Sequence, residues 1–408
     1  MKQKIFLLIF LIFSVTLYSQ QYIRIMTYNI HDYTAYNPTP ANPNQFDWDN
    51  PALKYVINYV SPDILVCQEV RDKASVNQLL NYVLDNKYAA AEFVESTNMN
   101  SVLFYRDDKF ISLGNIVHQA ETRPINEFPL INKFTNDTLI IFSVHLKANT
   151  LTGDNSENMR RRAVAVDSLR KRTAQLPANK NFIVLGDFNT LFGSESAVQK
   201  LIDKTVKGYV IDPLDAIGEW GDNPLYAFTH TMYANNLTVR FDMILISQAV
   251  KDLGGIEYVN GTYTIVGNDG NHFNKAINYG FNSFGKELAD SLISASDHLP
   301  VYATFKFSGS TDVKDDYKYG LYYLKQNYPN PFNNETTINY STPFASFVTL
   351  KVYDLLGREI ATIVEDFKSA GNYQVKFYAD TYFLSSGIYF YKLTAQNFSE
   401  IRAMVYIK

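Results

Sequence analysis

Six short, mostly apolar runs recur through the first 307 residues, and each has the length of a buried strand. The runs cover residues 22–29, 63–69, 101–106, 139–146, 182–187 and 240–247. Between them, residues 50–60 place their apolar side chains on one helical face, and a second helix is predicted over residues 158–175. Strands that alternate with helices predict an α/β class, in which helices cover the sheets.

The character of the chain changes after residue 307. Residues 308–320 are polar, charged and punctuated by Gly and Ser, as expected of a linker. Residues 321–408 then contain only strand-like runs separated by turns, which predict a small all-β sandwich of the immunoglobulin kind. In the segment DLLGRE, Gly357 occupies the turn position that needs a positive φ.

The N-terminus has the form of a secretory signal peptide over residues 1–20. Lys2 and Lys4 precede an apolar run from Ile5 to Leu17, which is too short to span a bilayer. No later stretch predicts a transmembrane segment, so we expect a mature chain, residues 21 onward, that is soluble outside the cytoplasm. The one cysteine, Cys67, has no intrachain partner and is predicted to be a small buried side chain.

Composition excludes a disordered or fibrous chain, because 46% of the residues are apolar and only 19% are charged. The formal net charge of −4 provides no bulk attraction to phosphate backbones. A polyanionic substrate would therefore have to be held by local basic residues or by a bound metal.

Several of the predicted strands of the α/β half end in, or carry, a polar residue that suits a core poorly. These residues are Asn29, Glu69, His145, Asp187, Asn189 and Asp242, and the pair Asp297–His298 precedes another strand-like run. Ligands gather at strand ends in sheets that helices cover, because the apolar run fixes the backbone while the last side chains project beyond it. We therefore expect these side chains to converge on one site.

The residue types in this set indicate phosphoester chemistry. Carboxylates and amides are the ligands that hard divalent cations such as Mg²⁺ prefer, while His and Asn can hold phosphate oxygens. The sequence contains no G-x-S-x-G, H-E-x-x-H or G-x-x-x-x-G-K motif, which removes support for the common hydrolase and nucleotide-loop alternatives.

Six motifs in order resemble the endonuclease/exonuclease/phosphatase superfamily over residues 22–307. They are TYNIH (27–31), CQEV (67–70), SVHLKA (143–148), GDFNT (186–190), RFDMILIS (240–247) and SDHLPV (296–301). The resemblance implies a four-layer α/β sandwich, with two sheets face to face and helices outside. It also implies metal-dependent cleavage of a phosphoester by a catalytic domain over residues 21–307.

The resemblance assigns roles at the matching positions. Glu69 is expected to be the principal ligand of Mg²⁺, with Mn²⁺ or Ca²⁺ as alternatives, and Asn29 and Asp297 are expected nearby in the metal shell. Asp187 and Asn189 are expected to orient the attacking water and grip the phosphate.

The remaining roles fall to histidines and their partners. His298 paired with Asp242 is expected to be a base or a phosphate donor, and His145 a phosphate donor or an acid for the leaving oxygen. Tyr105 is expected to line the substrate cleft. We predict structural or surface positions for His31, His118, His230 and His272, and a solvated helix face for Arg160–Arg162.

The last segment, residues 321–408, resembles the sorting domain of bacterial type IX secretion substrates. The resemblance is carried by QNYPNPFN, YDLLGRE and SGIYFYKL. It implies export through the periplasm, recognition by the type IX secretion machinery, and a final location in the medium or on the cell surface.

Several functions remain open from the sequence. The leading hypothesis is a secreted, metal-dependent phosphodiesterase that hydrolyses extracellular DNA or RNA and acts as a monomer. The alternatives are a sphingomyelinase-like phospholipid phosphodiesterase or a phosphatase, and a surface binding protein without catalytic activity. Substrate choice is expected to lie in loops such as residues 147–158 and 267–291, whose shape the sequence does not predict.

Overall fold

The computed structural model describes residues 20–35, 50–96, 99–150, 154–232, 236–252, 255–308, 323–342, 346–368, 371–395 and 398–408. The chain divides into two compact units, Met1–Thr311 and Asp312–Lys408. Apart from residues 20 and 308, the predicted signal peptide (1–20) and linker (308–320) lie outside the described residues.

The described part of the first unit alternates strands and helices, as the sequence predicts. Its strands are β1 (Gln20–Tyr33), β2 (Ile64–Val70), β3 (Ala89–Ala90), β4 (Asn100–Tyr105), β5 (Phe110–Ser112), β6 (Ile116–His118), β7 (Ile125–Asn132), β8 (Thr138–His145), β9 (Phe182–Asp187), β10 (Val210–Ile211), β11 (Asp242–Ser247), β12 (Ile256–Tyr258), β13 (Thr264–Ile265) and β14 (Val301–Ser308). Its α-helices are α1 (Asn50–Val60), α2 (Lys73–Gln78), α3 (Ser156–Thr173), α4 (Ser196–Ile202), α5 (Gln248–Asp252) and α6 (Lys286–Ala295), with a π-helical turn at Leu79–Val83 and a 3₁₀ helix at Pro224–Thr229.

The strands form two mixed seven-stranded sheets. The first has the order β12-β14-β1-β2-β4-β3, with β13 paired to β14, and the second has the order β10-β11-β9-β8-β7-β5, with β6 paired to β7. The pairs β1–β2 and β8–β9 are parallel, and the other pairs in both sheets are antiparallel.

Strand β9 shows how the layers stack. Its residues Ile183 and Leu185 share one apolar core with Leu65 of the first sheet, so the two sheets pack face to face. The alternate residue Val184 lies in a second core with Leu169 of α3, on the outer face of the second sheet. Because β9 is covered on both faces, its sequence is a continuous apolar run. The predicted four-layer α/β sandwich is confirmed.

The two predicted helices are present. Helix α1 begins and ends at residues 50 and 60, as predicted, and buries Leu53, Val56, Ile57 and Val60. Helix α3 begins and ends two residues earlier than predicted, at Ser156 and Thr173. Helix α3 is stabilised by basic residues in its last turn, which interact favourably with the negative end of the helix dipole.

The prediction of a solvated basic face on α3 is wrong at one position. Arg160 is exposed, Arg161 is half-buried, and both form ion pairs with Glu157. The Arg162 side chain, by contrast, is completely buried and forms an ion pair with Glu195. A buried guanidinium needs such a partner, because its charge cannot be hydrated there.

The second unit is a small β-sandwich, as predicted. Its strands are β15 (Tyr323–Leu324), β16 (Glu335–Thr342), β17 (Ser346–Tyr353), β18 (Glu359–Lys368), β19 (Gly371–Tyr378), β20 (Gly387–Ala395) and β21 (Phe398–Tyr406), with a 3₁₀ helix at Ala379–Tyr382. They form a sheet of order β15-β16-β19 and a sheet of order β18-β17-β20-β21. Gly357 has the positive φ expected of its turn, 76°. Among the described residues of both units, no helix combines the length and the apolar character that a membrane span requires.

Candidate active site

Strand register places three of the predicted site residues side by side at one end of the second sheet. His145 at the end of β8 pairs with Asp187 at the end of β9, and Asp187 pairs in turn with Asp242 at the start of β11. Parallel β8 and β9 end at the same end of the sheet, and antiparallel β11 begins there. This end of the sheet therefore carries two carboxylates and an imidazole on adjacent strands.

Gly186 allows β9 to end in this arrangement beside β8. Its φ is +128°, a backbone conformation that side chains disfavour, and a Cβ at this position would lie 2.0 Å from the carbonyl oxygen of Val144. Glycine is therefore the only residue that fits beside β8 here. The strand can turn at this point, and the carboxylate of Asp187 lies buried at the edge, with 1% of the residue exposed.

The first sheet contributes Asn29 from β1 and Glu69 from β2. The Asn29 side-chain amide donates from Nδ2 to Glu69 Oε1 at 3.0 Å and to Asp187 Oδ2 at 3.1 Å, so it joins the two sheets. The second oxygen of Glu69 accepts a hydrogen bond from the Asp32 backbone N–H at 2.8 Å. The amide oxygen of Asn29 accepts from the backbone N–H of His31 at 3.0 Å.

We call the side chains that meet here the polar cluster. It consists of Asn29, Glu69, His145, Asp187, Asn189, Asp242 and His298. All seven were predicted as site residues from the sequence, and the structure brings them together.

Glu69, His145 and Asp187 form a group that fits a divalent cation. One oxygen or nitrogen of each lies within 4.8 Å of those of the other two. His145 Nε2 is 3.4 Å from Glu69 Oε1 and 3.5 Å from Asp187 Oδ2. Burial, with Asp242 and Glu69 nearby, raises the pKa of Asp187 to about 7. The site thus concentrates negative charge that a bound cation would neutralise, and its donors suit a metal of Mg²⁺ or Mn²⁺ type.

The other two expected metal-shell residues lie beside this group. Asn29 directs its donor nitrogen, not its oxygen, toward the two carboxylates. Asp297 lies 2.6 Å from His31 Nδ1 and 4.0 Å from His298 Nε2. Although burial opposes the effect, the hydrogen bond from His31 holds the pKa of Asp297 below its usual value.

His298 and Asp242 form a buried imidazole–carboxylate pair. His298 Nδ1 lies 2.7 Å from Asp242 Oδ2, and the Asp242 side chain is completely buried. Burial alone would lower the pKa of His298, but the charge and hydrogen bond of Asp242 outweigh it and raise the pKa to about 10. His298 is therefore an imidazolium at neutral pH. Its own backbone N–H donates to Ser296 Oγ at 3.1 Å, and that hydroxyl donates to the carbonyl oxygen of Asn29 at 2.7 Å.

His145 has the opposite character. It is buried, and burial, reinforced by Arg123, His298 and Lys147, holds its pKa well below the ordinary 6.5. Its ring is therefore neutral at neutral pH, which suits a metal ligand or a hydrogen-bond donor.

Asn189 adopts a left-handed backbone conformation, with φ of 52°. Its backbone N–H donates to Asp187 Oδ1 at 2.9 Å, and its side-chain amide donates to Asp187 Oδ2 at 2.9 Å and to the Leu146 carbonyl at 3.2 Å. The two hydrogen bonds from Asn189, the last residue of the GDFN turn, thus hold the Asp187 carboxylate in one orientation.

The prediction for Tyr105 disagrees with the strand register. Strand β4 runs antiparallel to β2, so Tyr105 pairs with Ile64 at the start of β2, while Asn100 pairs with Val70 beside Glu69. Tyr105 therefore lies at the end of the sheet opposite the polar cluster. The sequence placed a strand here correctly, but its direction within the sheet decides which end faces the site.

His31, for which we predicted a structural or surface position, contacts the site instead. Its Nδ1 lies 2.6 Å from Asp297 Oδ1, and this hydrogen bond raises the pKa of His31. The motif TYNIH contains His31, yet β-strand alternation gives no indication that a residue with φ of 49° directs its ring toward Asp297. The other three histidines bind elsewhere: His118 to Glu127, His230 to backbone carbonyls and His272 to Asp269.

Arg123 is a second residue that the sequence reasoning missed. Its guanidinium donates to the Leu146 carbonyl at 2.8 Å and to Met99 Sδ at 3.2 Å. Burial lowers its pKa, although the carboxylates of Asp187 and Glu69 act in the other direction. Arg123 lies in no predicted motif, so only the fold shows that its charge acts on the polar cluster.

Comparison with known proteins gives two family matches. Residues 26–298 match the model of the endonuclease/exonuclease/phosphatase family, and residues 326–408 match the secretion system C-terminal sorting domain. No curated protein sequence matches the chain.

Solved structures with a similar fold include three of low sequence identity. Humanized D. rerio TDP2 carrying 14 mutations is 16% identical, with 70% of this chain and 98% of that chain covered and a TM-score of 0.46. A family protein from Bacteroides thetaiotaomicron is 17% identical, with 73% and 98% covered and a TM-score of 0.46. The human Nocturnin catalytic domain with bound sulfate is 19% identical, with 71% and 97% covered and a TM-score of 0.45.

The family match runs from within the Asn29 strand to the Asp297–His298 pair, and it confirms the resemblance seen in the six motifs. The sorting-domain match confirms the second resemblance, over the β-sandwich. The chain therefore belongs to the endonuclease/exonuclease/phosphatase family of metal-dependent phosphoester hydrolases and carries a C-terminal secretion sorting domain.

Proposed function

We propose that this chain is an exported, divalent-metal-dependent phosphodiesterase that hydrolyses nucleic acid. The observation that carries the proposal is the polar cluster, in which a neutral His145, a protonated His298 and a carboxylate with raised pKa, Asp187, lie at one buried edge. Titratable groups whose environments push their pKa values apart are typical of acid–base sites.

Glu69 and Asp187, with His145, would hold the cation. When bound, Mg²⁺, or Mn²⁺ or Ca²⁺ in its place, neutralises charge on the phosphate and lowers the pKa of water. Asn29 would keep the two carboxylates in register, because it donates to both of them across the two sheets. Asp297, held by His31, would add negative charge at the rim of the same site.

Asp187 would orient the attacking water and accept its proton. Asn189 fixes the carboxylate by two hydrogen bonds and so leaves a defined direction for the water. The hydrogen bond that the Asn189 side-chain amide donates to the Leu146 carbonyl keeps this turn in place.

His298 would donate to the phosphate as the negative charge on its oxygens grows. Asp242 keeps the imidazole protonated and orients it through Nδ1, which leaves Nε2 for the substrate. Arg123 would add a second positive charge on the side of Leu146. Neutral His145 would donate a hydrogen bond or bind the cation, but it would not deliver a proton at neutral pH.

Local cations support nucleic acid as the substrate. The positive charges of Arg123 and Lys147 both act on His145 of the polar cluster. Because the net charge of the chain is −4, these local charges, and not the overall charge, would have to hold a phosphate backbone.

One observation favours a second candidate, a phospholipid phosphodiesterase. Tyr279 and Phe281 are 69% and 85% exposed, and Phe228 is 52% exposed. Tyr279 and Phe281 lie in the loop of residues 267–291, and Asn268 of that loop donates a hydrogen bond to the His230 carbonyl. The next residue, Thr231, accepts a hydrogen bond from the backbone N–H of Asp242 in the polar cluster. Exposed aromatic side chains near a site suit an apolar surface as well as stacked bases.

Export follows from the sorting domain, and we propose its route. The predicted signal peptide over residues 1–20 would direct the chain to the periplasm, and the sorting domain over residues 321–408 would engage the type IX secretion machinery. The catalytic domain over residues 21–307 would then act as a monomer outside the cell or on its surface.

Two variants test the proposal in the full chain. Glu69→Ala removes a carboxylate of the cation group and His298→Ala removes the cationic donor, so each is expected to reduce Mg²⁺-dependent cleavage of plasmid DNA or RNA at least about 100-fold. Asp167→Ala is the control, because Asp167 is exposed and its ion pair among the described residues is with Lys200, away from the polar cluster. Normal turnover in either site variant would contradict the proposal.

A further inference from the structure

A second buried ion pair lies just beyond the polar cluster. Arg162 of α3 is 0% exposed and Glu195 before α4 is 2% exposed at the side chain. Arg162 Nε and Nη2 both donate to Glu195 Oε2, at 3.0 and 2.7 Å. Replacing such a pair by apolar side chains is often neutral or stabilising, so stability alone is a weak reason for its presence.

The remaining contacts of Arg162 go to the loop that follows His145. Arg162 Nη1 donates to the Lys147 carbonyl at 2.8 Å and to Asn149 Oδ1 at 2.9 Å. His145 is the last residue of β8, so this loop begins at once behind the imidazole. The guanidinium thus fixes the backbone two residues away from His145.

The second carboxylate oxygen of Glu195 contacts the turn that follows Asp187 and Asn189. Glu195 Oε1 accepts a hydrogen bond from the Leu191 backbone N–H at 2.7 Å. The neighbouring Thr190 carbonyl accepts from Trp220 Nε1 at 2.9 Å. The turn is therefore held from two sides, and Glu195 supplies the side that faces α3.

We propose that the Arg162–Glu195 pair is a positioning element, which sets the distance between the loop behind His145 and the turn behind Asp187 and Asn189. The pair connects the two segments through Lys147, Asn149 and Leu191. The Asn189 amide connects them at the site through the Leu146 carbonyl. Neither side chain of the pair has to touch the substrate. The inference rests on the proposed function, since it assigns the pair a role in placing His145 and Asp187.

The test compares three variants of the full chain. Arg162→Met leaves Glu195 as an uncompensated buried charge, whereas the double variant Arg162→Met/Glu195→Gln removes both charges and retains an acceptor for the Leu191 N–H. Arg170→Met is the matched control. Arg170 lies on the same helix, is 7% exposed, and donates to backbone carbonyls, including those of Asp203 and Val206.

Hydrogen exchange, kinetics and Mn²⁺ affinity supply the readouts. We expect the double variant to unfold at a temperature near that of the wild type, yet to exchange amides of residues 146–150 and 187–195 about tenfold faster. We also expect its kcat to fall about 10- to 100-fold with little change in KM, because displacements of about 1 Å at a catalytic group cost that much. Its Mn²⁺ affinity, measured by electron paramagnetic resonance, should fall as well.

The control separates positioning from stability. Arg170→Met is expected to lower the unfolding temperature while its kcat stays within about twofold of the wild type. Unchanged exchange in both segments of the double variant, or an equal loss of kcat in Arg170→Met, would overturn the inference. A wild-type chain that cleaves no substrate would contradict the proposed function, and the exchange and Mn²⁺ readouts would still decide the positioning role.

Discussion

The substitution Asp242→Asn tests the electrostatic design of the site. Asp242 is completely buried and lies 2.7 Å from His298 Nδ1. The amide has nearly the same shape as the carboxylate but carries no charge. Burial of His298 remains and the charge of Asp242 is gone, so its pKa is expected to fall well below about 10, while the charges of Asp187 and Asp297 continue to raise it. A smaller fraction of the imidazole would then be protonated at pH 7.

The magnitude is large. One pKa unit corresponds to 1.36 kcal/mol, so a pKa of about 10 against an ordinary value of 6.5 corresponds to an imidazolium stabilised on the order of 5 kcal/mol. Because the pKa of the folded state is raised, this stability is fully present below pH 6.5 and is lost as the pH rises through about 10. The wild type should therefore lose stability over that range, and Asp242→Asn should show a much flatter profile.

Fluorescence and NMR measure both effects. Trp220 is buried in the first unit, so its fluorescence follows unfolding of that unit. Unfolding is measured in EDTA from pH 6 to 10, and the His298 ring is titrated by NMR. Cleavage at pH 7 is expected to fall at least about 100-fold, as for loss of a positioned acid or base.

The matched control is Asp167→Asn. Asp167 lies on α3 with 55% of its side chain exposed and forms an ion pair with Lys200, so its loss should change stability by no more than about 0.5 kcal/mol. The electrostatic reasoning is refuted if His298 of Asp242→Asn still titrates near 10, or if that variant keeps the pH profile of the wild type.

Four further predictions concern stability and reactivity. Asp212→Asn should destabilise the first unit by about 3–5 kcal/mol in urea unfolding, because it leaves the buried charge of Arg240 unpaired; a loss below 1 kcal/mol would disagree. Gly186→Ala should cost roughly 3 kcal/mol or more, since its Cβ would meet the Val144 carbonyl, and a soluble variant of normal melting temperature would contradict that packing. Cys67 is buried, which raises the pKa of its thiol, so a thiol reagent should label it only after unfolding. Mg²⁺ at about 100 times its dissociation constant should add about 2.7 kcal/mol of stability, and EDTA should remove it.

Much of the fold could be predicted from the sequence because its buried strands are continuous apolar runs. FIVLGD reads as a covered strand, and β9 is covered on both faces. The polar residues that end these runs mark the site, since nothing in a core would favour Asp187 or His145 there. Gly186 also signals its role in the sequence, because it separates the apolar run from the first acid.

The features that the sequence could not predict depend on register and on long side chains. Tyr105 ends a correctly predicted strand, but the antiparallel direction of β4 puts it at the wrong end of the sheet. Arg162 sits in a basic run that is typical of a solvated helix, and only the position of Glu195 explains its burial. The side chains of Arg123 and His31 reach the site from positions where no local pattern indicates it.

The measurement that tests the central claim most directly is hydrolysis by the full chain, with Mg²⁺ or with EDTA, of four substrates in parallel. These are supercoiled plasmid DNA, RNA, sphingomyelin vesicles and a phosphomonoester. We predict cleavage of DNA or RNA that requires Mg²⁺ and is abolished by EDTA. Turnover of the lipid or the monoester alone would contradict the nuclease assignment, and silence on all four substrates with Mg²⁺, Mn²⁺ and Ca²⁺ would contradict catalysis by the polar cluster.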